Sequence, residues 1–510
     1  MKNAWNIYFS SFFVAVLSIT ISCTSKNESS SNTMSGNMQI DTSTFNVIYS
    51  QYKESSLQHR RFKHVDIDSL IQTHRNNAIL HIEEIGKSFQ GRQIYEVSFG
   101  QGDKKVMLWS QMHGDEPTAT MALFDLFNFL EGKQDGYDSI RNLLNEKLQI
   151  HFIPMLNPDG AERYTRRTAQ GIDMNRDARV GQTVEGELLR TRAKALVPAF
   201  GFNLHDQNIY YNVPGTKNPV SISLLAPAFN ESREINTVRE NAMKIAAGMN
   251  EILQLYIPNA VAKYDDTYSP RGFGDNFQSW NASTVLIESG GMKGDPEKQE
   301  IRRLNFVIIL NALIQIAEGS FAKYDKQLYE DIPFNASQLH DVLIRNIQIK
   351  MDSTTFKTDL AIRRSETTVG RDYFVRGKIE DMGDLKDLYG YEELDAEGLQ
   401  FIPGKVATKV YNSLGQISFK EAFELLKQGY MAVQVRVVGE TKESALHNLP
   451  IQLFTQSKFY MPITADFGGM TNFYLGDAAG NLKFAIMNGY LIDLENESKI
   501  SSTEFINRVL

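Results

Sequence analysis

The sequence predicts an α/β protein, a sheet flanked by helices, followed by a second, smaller, mainly β C-terminal domain. Three observations carry that expectation. Apolar runs suited to buried strands, such as Val106 to Trp109 and Ser283 to Ile287, alternate with stretches of helical period such as Met121 to Leu130 and Val238 to Leu253. Several of the runs end at a polar residue with chemistry to offer, which is where α/β sheets present functional groups. From about Tyr329 the pattern changes to short alternating runs.

With 510 residues, a prior of about 150 residues per domain suggests three domains, but single α/β domains often run longer and the pattern supports two, 56–325 and 326–510. The formal net charge is -8 and the basic residues are scattered, so no nucleic-acid footprint is expected.

Residues 1–22 carry Lys2, an apolar stretch from Trp5 to Ile21 and then Ser22, and read as a secretory signal. Cys23 is the only cysteine, and polar residues follow it, so 23–55 reads as a flexible tether. The arrangement resembles a bacterial lipoprotein signal, with Thr20 as its departure. That resemblance implies membrane attachment through a lipidated Cys23 and a periplasmic or outer-membrane location. An ordinary signal with an incidental cysteine and an uncleaved anchor stay open, although the run falls short of the roughly 20 apolar residues of a comfortable span. An exported chain with one cysteine has no internal disulfide and must be held by its core.

Taken in order, His64 to Glu83 mixes helical and strand-like patterns. Ile85 to Ser88 and Gly91-Arg92 read as turns, and Ile94 to Gly100 alternates as a strand. Val106 to Trp109 is a strand that stops at Ser110-Gln111. His113 and Glu116 follow in a loop, and Pro117 suits the start of a helix reaching about Leu130. After a polar loop, Glu131 to Ser139, the run Leu148 to Met155 is a second buried strand, ending in the turn signal Asn157-Pro158-Asp159-Gly160. Ala199 to Leu204 delivers His205. Ser283 to Ile287 delivers Glu288, with Gly290-Gly291 behind it.

His113, Glu116 and His205 form a two-histidine, one-carboxylate set, a donor mix that suits zinc and leaves a fourth position for water. In a chain with 9 histidines and 61 acidic residues an isolated H-x-x-E pair can arise by chance. Its place between a buried strand and a helix sets this one apart.

Five motifs in order, H-G-D-E (His113 to Glu116), N-P-D-G (Asn157 to Gly160), T-R-R-T-A-Q-G-I-D-M-N-R-D (Thr165 to Asp177), L-H-D-Q (Leu204 to Gln207) and L-I-E-S-G-G (Leu286 to Gly291), resemble the M14 zinc metallocarboxypeptidases, or funnelins, over about residues 60–320. The resemblance implies a mixed central sheet flanked by helices. It implies Zn2+ held by His113, Glu116 and His205, with Glu288 as general base and acid. It implies that Arg166 stabilises the oxyanion; Arg167 is its rival, and Arg166 is preferred because it stands two residues before Thr168. Asn175 and Arg176 match the pair that grips a substrate's terminal carboxylate, and Asp173 the acid that orients the first histidine. Tyr268 most resembles a mobile tyrosine closing over substrate, with Tyr264 as runner-up and Gly272 and Gly274 giving the loop freedom. Asp275 falls near the specificity position, where an acid favours a basic or amino-bearing side chain; a turn cap, or a pair with Arg271, is the competing role. Two departures stand out. Asp177 occupies a position that is more often Asn, placing an added anion beside the carboxylate site, and the segment between His205 and Tyr268 is hard to match.

In the last third, Val342 to Ile344, Ile347 to Ile349, Tyr373 to Val375 and Ala432 to Val437 read as strands of a β-sandwich or barrel. One helix, Phe419 to Lys427, has a Ser418/Glu421 capping box and Gly429 beyond its end. Phe473 to Leu491 reads as a hairpin turning through Asp477 to Asn481. No ligand cluster appears there, and scaffold, wall-binding module and lid all stay open as its role.

These readings converge on a zinc-dependent peptidase that releases a C-terminal residue from peptides. An amidase or carboxypeptidase acting on cell-wall stem peptides is the alternative within the same chemistry, and a metal-free surface-binding lipoprotein the alternative outside it. Against the last, every position that the chemistry needs holds a competent residue.

Overall fold

Apolar runs bounded by polar ones settle in the middle of a sheet, where a strand with neighbours and helices on both faces is buried throughout. A computed structural model describes residues 40–496 and 505–510 of the chain. The expected signal 1–22 and Cys23 lie outside them. The sheet contains β1 (His81–Lys87), β2 (Gln93–Phe99), β3 (Lys104–Ser110), β4 (Leu148–Ile153), β5 (Phe200–Asp206), β6 (Ile222–Leu225), β7 (Val261–Lys263) and β8 (Ser283–Ser289), in the order β1-β2-β4-β3-β5-β8-β6-β7. Neighbours from β4 to β8 run parallel, while β1 with β2, β2 with β4 and β6 with β8 are antiparallel. The sheet is therefore mixed, as the motif resemblance implies.

The flanking helices are α1 (Thr42–Tyr52), α2 (His64–Arg75), α3 (Thr118–Glu131), α4 (Asp138–Lys147), α5 (Pro158–Arg163), α6 (Val184–Leu196), α7 (Thr237–Tyr256), α8 (Phe273–Ser279) and α9 (Gln299–Glu318). Several differ from expectation. α1 stands inside the span read as tether: Asp41 caps it by accepting from Thr44 N, and Phe45, Ile48 and Tyr49 are buried, which ties it down. α4 buries Ile140, Arg141 and Leu144 where only a polar connection was read. α5 begins at the expected N-P-D-G turn, because the Asn157 side chain accepts from Gly160 N and Pro158 takes the first helical position. α9 escaped periodicity because it is apolar nearly all round, with Ile301 to Ala317 buried except at Arg303 and Asn311. Ile85 to Lys87, read as a turn, is instead the end of β1, with a register shift between Glu84 and Gly86.

Arg302 of α9 crosses to α3, donating from Nε to Asp125 Oδ2 at 2.7 Å and from Nη2 to the Glu54 carbonyl at 2.8 Å. Both members of the ion pair have fully buried side chains.

Beyond residue 338 the long strands Leu339–Met351, Thr354–Val369 and Asp372–Gly383 lead an eight-stranded sheet. Lys405–Ser413, Tyr430–Val437 and Gln452–Phe454 form a parallel three-stranded one. The strand order is open, so the region is not a closed barrel. The expected helix Phe419–Lys427 is present, its Ser418 accepting from Glu421 N, and so is the hairpin of Asn472–Gly476 with Leu482–Met487. Among the described residues no helix is long and apolar enough to cross a membrane.

Candidate active site

β3, β5 and β8 are neighbours, so the residues at their C-terminal ends meet. The register of β5 against β8 sets His205 opposite Glu288. After β3 the chain turns through Gln111 at φ 50 and reaches His113 in a tight loop. This loop is pressed against the N-P-D-G segment. Asn157 Nδ2 donates to the Met112 carbonyl at 3.1 Å, and a Cβ at Gly114 would lie 2.0 Å from the Gly160 carbonyl carbon. No side chain fits there, which explains why the two motifs occur together. Gly290 is similarly confined: its Cβ would stand 1.9 Å from the Val220 carbonyl oxygen.

His113, Glu116 and His205 present ligand atoms that all lie within 4.8 Å of one another, and all three residues are buried. The Glu116 carboxylate reaches His113 Nδ1 at 2.8 Å with Oε1 and His205 Nδ1 at 2.7 Å with Oε2. Asp173 Oδ1 stands 3.1 Å from His113 Nε2, the far side of the ring, so it fixes the tautomer that leaves Nδ1 facing inward. Burial pushes the His113 imidazole down, but Glu116 and Asp173 prevail and raise it to about 9. Burial likewise opposes ionisation of Glu116, yet the two histidines hold its carboxyl far below the usual range. A buried cluster that draws positive charge into its centre, built of two imidazole nitrogens and a carboxylate, fits a zinc ion.

Glu288 is buried beside this cluster, and burial, reinforced by the Glu116 charge, pushes its carboxyl well up. Arg166 also touches the cluster. Its Nη1 is 3.1 Å from Glu116 Oε1, its Nε donates to Asp173 Oδ2 at 3.1 Å, and its side chain is 43% exposed. Arg167 turns away, donating to the Gly171 carbonyl.

A cleft opens over these groups, lined by Arg166, Asn175, Arg176, Tyr264, Asp275 and Glu288 among others. Asn175 Oδ1 accepts from Phe273 N at 2.9 Å, and Arg176 Nη1 donates to the Asn175 carbonyl at 2.7 Å. Asp275, in the first turn of α8, accepts from Ser269 N at 2.8 Å; burial raises its carboxyl to about 6. It therefore both caps a turn and faces the cleft.

Three expectations need correction. Tyr268 does not line the cleft, whereas Tyr264 does, and burial followed by the Glu288 charge pushes the Tyr264 phenol up. Gly274 is inside α8, buried against Pro227, so it gives no loop freedom. Asp177 is not beside the carboxylate site: its carboxylate accepts from Gln182 N at 2.8 Å and from Thr183 N at 2.7 Å, anchoring the start of α6. Sequence reasoning also missed Tyr211, Asp265 and Asp206 on the cleft. Asp206 was signalled only by its place after His205; its Oδ2 is paired with Lys298 Nζ at 3.0 Å.

Residues 67–195 match the family described as zinc carboxypeptidase. An uncharacterized protein of Zymomonas mobilis is 34% identical over 96 residues, 19% of this chain and 24% of that protein. Carboxypeptidase SOL1 of Arabidopsis thaliana is 29% identical over 113 residues, 21% of this chain and 22% of that protein. The chain thus spans about a quarter of the length of these relatives. A solved metallo-carboxypeptidase from Burkholderia cenocepacia superposes with a TM-score of 0.40 at 16% identity, over 50% of this chain and 69% of that one.

Proposed function

Through residues 67–195 this chain belongs to the zinc carboxypeptidase family, M14, and on that premise we propose that it is a zinc-dependent peptidase releasing a C-terminal residue from peptides. The observation that carries the proposal is the clustering of His113, Glu116 and His205 on a cleft that Glu288, Arg166, Asn175 and Arg176 also line. A bound zinc ion would lower the pKa of a water molecule and polarise the scissile carbonyl.

The chain's own groups account for the rest. Glu288, whose burial beside Glu116 raises its affinity for a proton, takes one as the carboxylate from the attacking water and hands it to the leaving amine. Arg166 donates to the carbonyl oxygen as charge develops there, a contribution on the order of 3 kcal/mol for such a preorganised donor. Arg176, flanked by the Asn175 amide, grips the substrate's terminal carboxylate, for which a planar guanidinium is suited. Tyr264, which lines the cleft, covers bound substrate in this reading.

A second reading, hydrolysis of cell-wall stem peptides, draws support from Asp265 and Asp275 on the cleft, where a free amine of a diamino acid would find carboxylates. In either case the segment Lys2 to Cys23 supports an exported chain anchored through a lipidated Cys23. The test is a panel of defined peptides and wall fragments incubated with the protein, with and without chelator, and read by mass. Single-residue losses from plain peptides support the first reading, and losses confined to wall fragments the second. A purified protein without any bound metal, inert throughout, points instead to a binding lipoprotein.

A further inference from the structure

The chain leaving β5 after His205 forms one wall of the cleft through Gln207, Asn208 and Tyr211. A segment leaving a strand is ordinarily free to move. This one is tied down by residues from the C-terminal region. Tyr210 is 8% exposed; its hydroxyl donates to Asp341 Oδ2 at 2.5 Å. Asp341 is itself held by Arg364, whose backbone N donates to Oδ2 at 2.7 Å and whose Nη2 donates to Oδ1 at 2.9 Å. The backbone is stitched as well. Tyr391 Oη donates to the Ile209 carbonyl at 2.6 Å, and Asn212 exchanges backbone hydrogen bonds with Ala336 at 2.8 and 3.0 Å. The neighbouring Tyr211 meets Tyr264 edge to face, ring centroids 6.0 Å apart at 88°.

We propose that the C-terminal β region forms part of the active-site wall, and that Tyr210, keyed into it by Asp341 and Arg364, is the positioning residue that sets Tyr211 and, through Tyr211, Tyr264 over the cleft. The inference rests on the peptidase reading above and gives the last third of the chain a part in that activity. Two strands of a separate sheet hold the Tyr210 hydroxyl, so loss of that hydroxyl loosens the side-chain anchor next to Tyr211, leaves the backbone ties at Ile209 and Asn212 in place, and touches no group that contacts substrate.

The test compares Tyr210→Phe with Tyr474→Phe in the full chain. Tyr474 is a matched control: it is buried in the same C-terminal sheet, and its hydroxyl donates to the Leu426 carbonyl at 2.9 Å. With a free-C-terminus peptide that the wild type trims, Tyr210→Phe is expected to raise KM about fivefold with kcat within about twofold, while Tyr474→Phe leaves KM unchanged. A wild-type KM in Tyr210→Phe, or an equal rise in Tyr474→Phe, overturns the proposal. If the wild type trims nothing, the peptidase reading fails by itself and amide hydrogen exchange decides the positioning role. Faster exchange across 207–213 and 261–268 in Tyr210→Phe alone supports it, and exchange equal to that of Tyr474→Phe overturns it.

Discussion

Glu288 is a carboxyl buried next to another carboxyl, an arrangement that costs stability and is characteristic of groups that move protons. Glu288→Gln keeps the shape and removes the proton carrier. kcat is expected to fall by about 10³-fold, within the range of general acid-base contributions, while bound zinc stays at the wild-type level. Asp275 offers a pH test. With its carboxyl raised to about 6, it is neutral below that pH and charged above it. KM for peptides ending in an amino-bearing residue is therefore expected to fall as pH rises through about 6, and Asp275→Asn to flatten the profile. The linkage sign is opposite for stability: a carboxyl whose folded pKa exceeds its unfolded one stabilises the fold at low pH, and that contribution is lost as pH rises through the folded value. At this scale His113, Glu116, His205 and Glu288 were legible because each follows or ends an apolar run. Tyr264 was ranked below Tyr268 because spacing in an irregular loop does not encode which side chain faces the cleft.

Elements hold these residues through a few buried polar anchors. Asp177 ties down the start of α6, so Asp177→Ala is expected to cost about 1–2 kcal/mol in urea unfolding and to leave KM for a free-C-terminus peptide unchanged. A shifted KM would return this anion to the substrate site. The Arg302–Asp125 pair joins α9 to α3, the helix that follows the H-G-D-E loop. Arg302→Leu strands a buried carboxylate, and a loss of about 3–5 kcal/mol is expected by the same measurement. The strands β3, β4, β5 and β8 could be read from the sequence as apolar runs, β2 from its alternation, and the helices α3 and α7 from their sustained helical period. β6 and β7 are four and three residues long, too short for a period to register. α9 hid behind uniform apolarity.

For the molecule as a whole, composition and pattern predicted the α/β class and the shift to β structure, but neither the order of strands nor the wall shared with the C-terminal region. Those depend on contacts between residues far apart in sequence, such as Tyr210 with Asp341. The site was legible further than the fold around it because its chemistry demands particular residue types at strand ends. The peptidase reading requires the cleft to recognise a free carboxylate beside a zinc-activated water. The most direct test pairs two peptides of one sequence, one with a free C-terminus and one amidated, each incubated with the protein with and without chelator and read by mass. Loss of one C-terminal residue from the free peptide alone, abolished by chelator, is expected. Equal cleavage of both peptides, or cleavage that survives chelation, would contradict it.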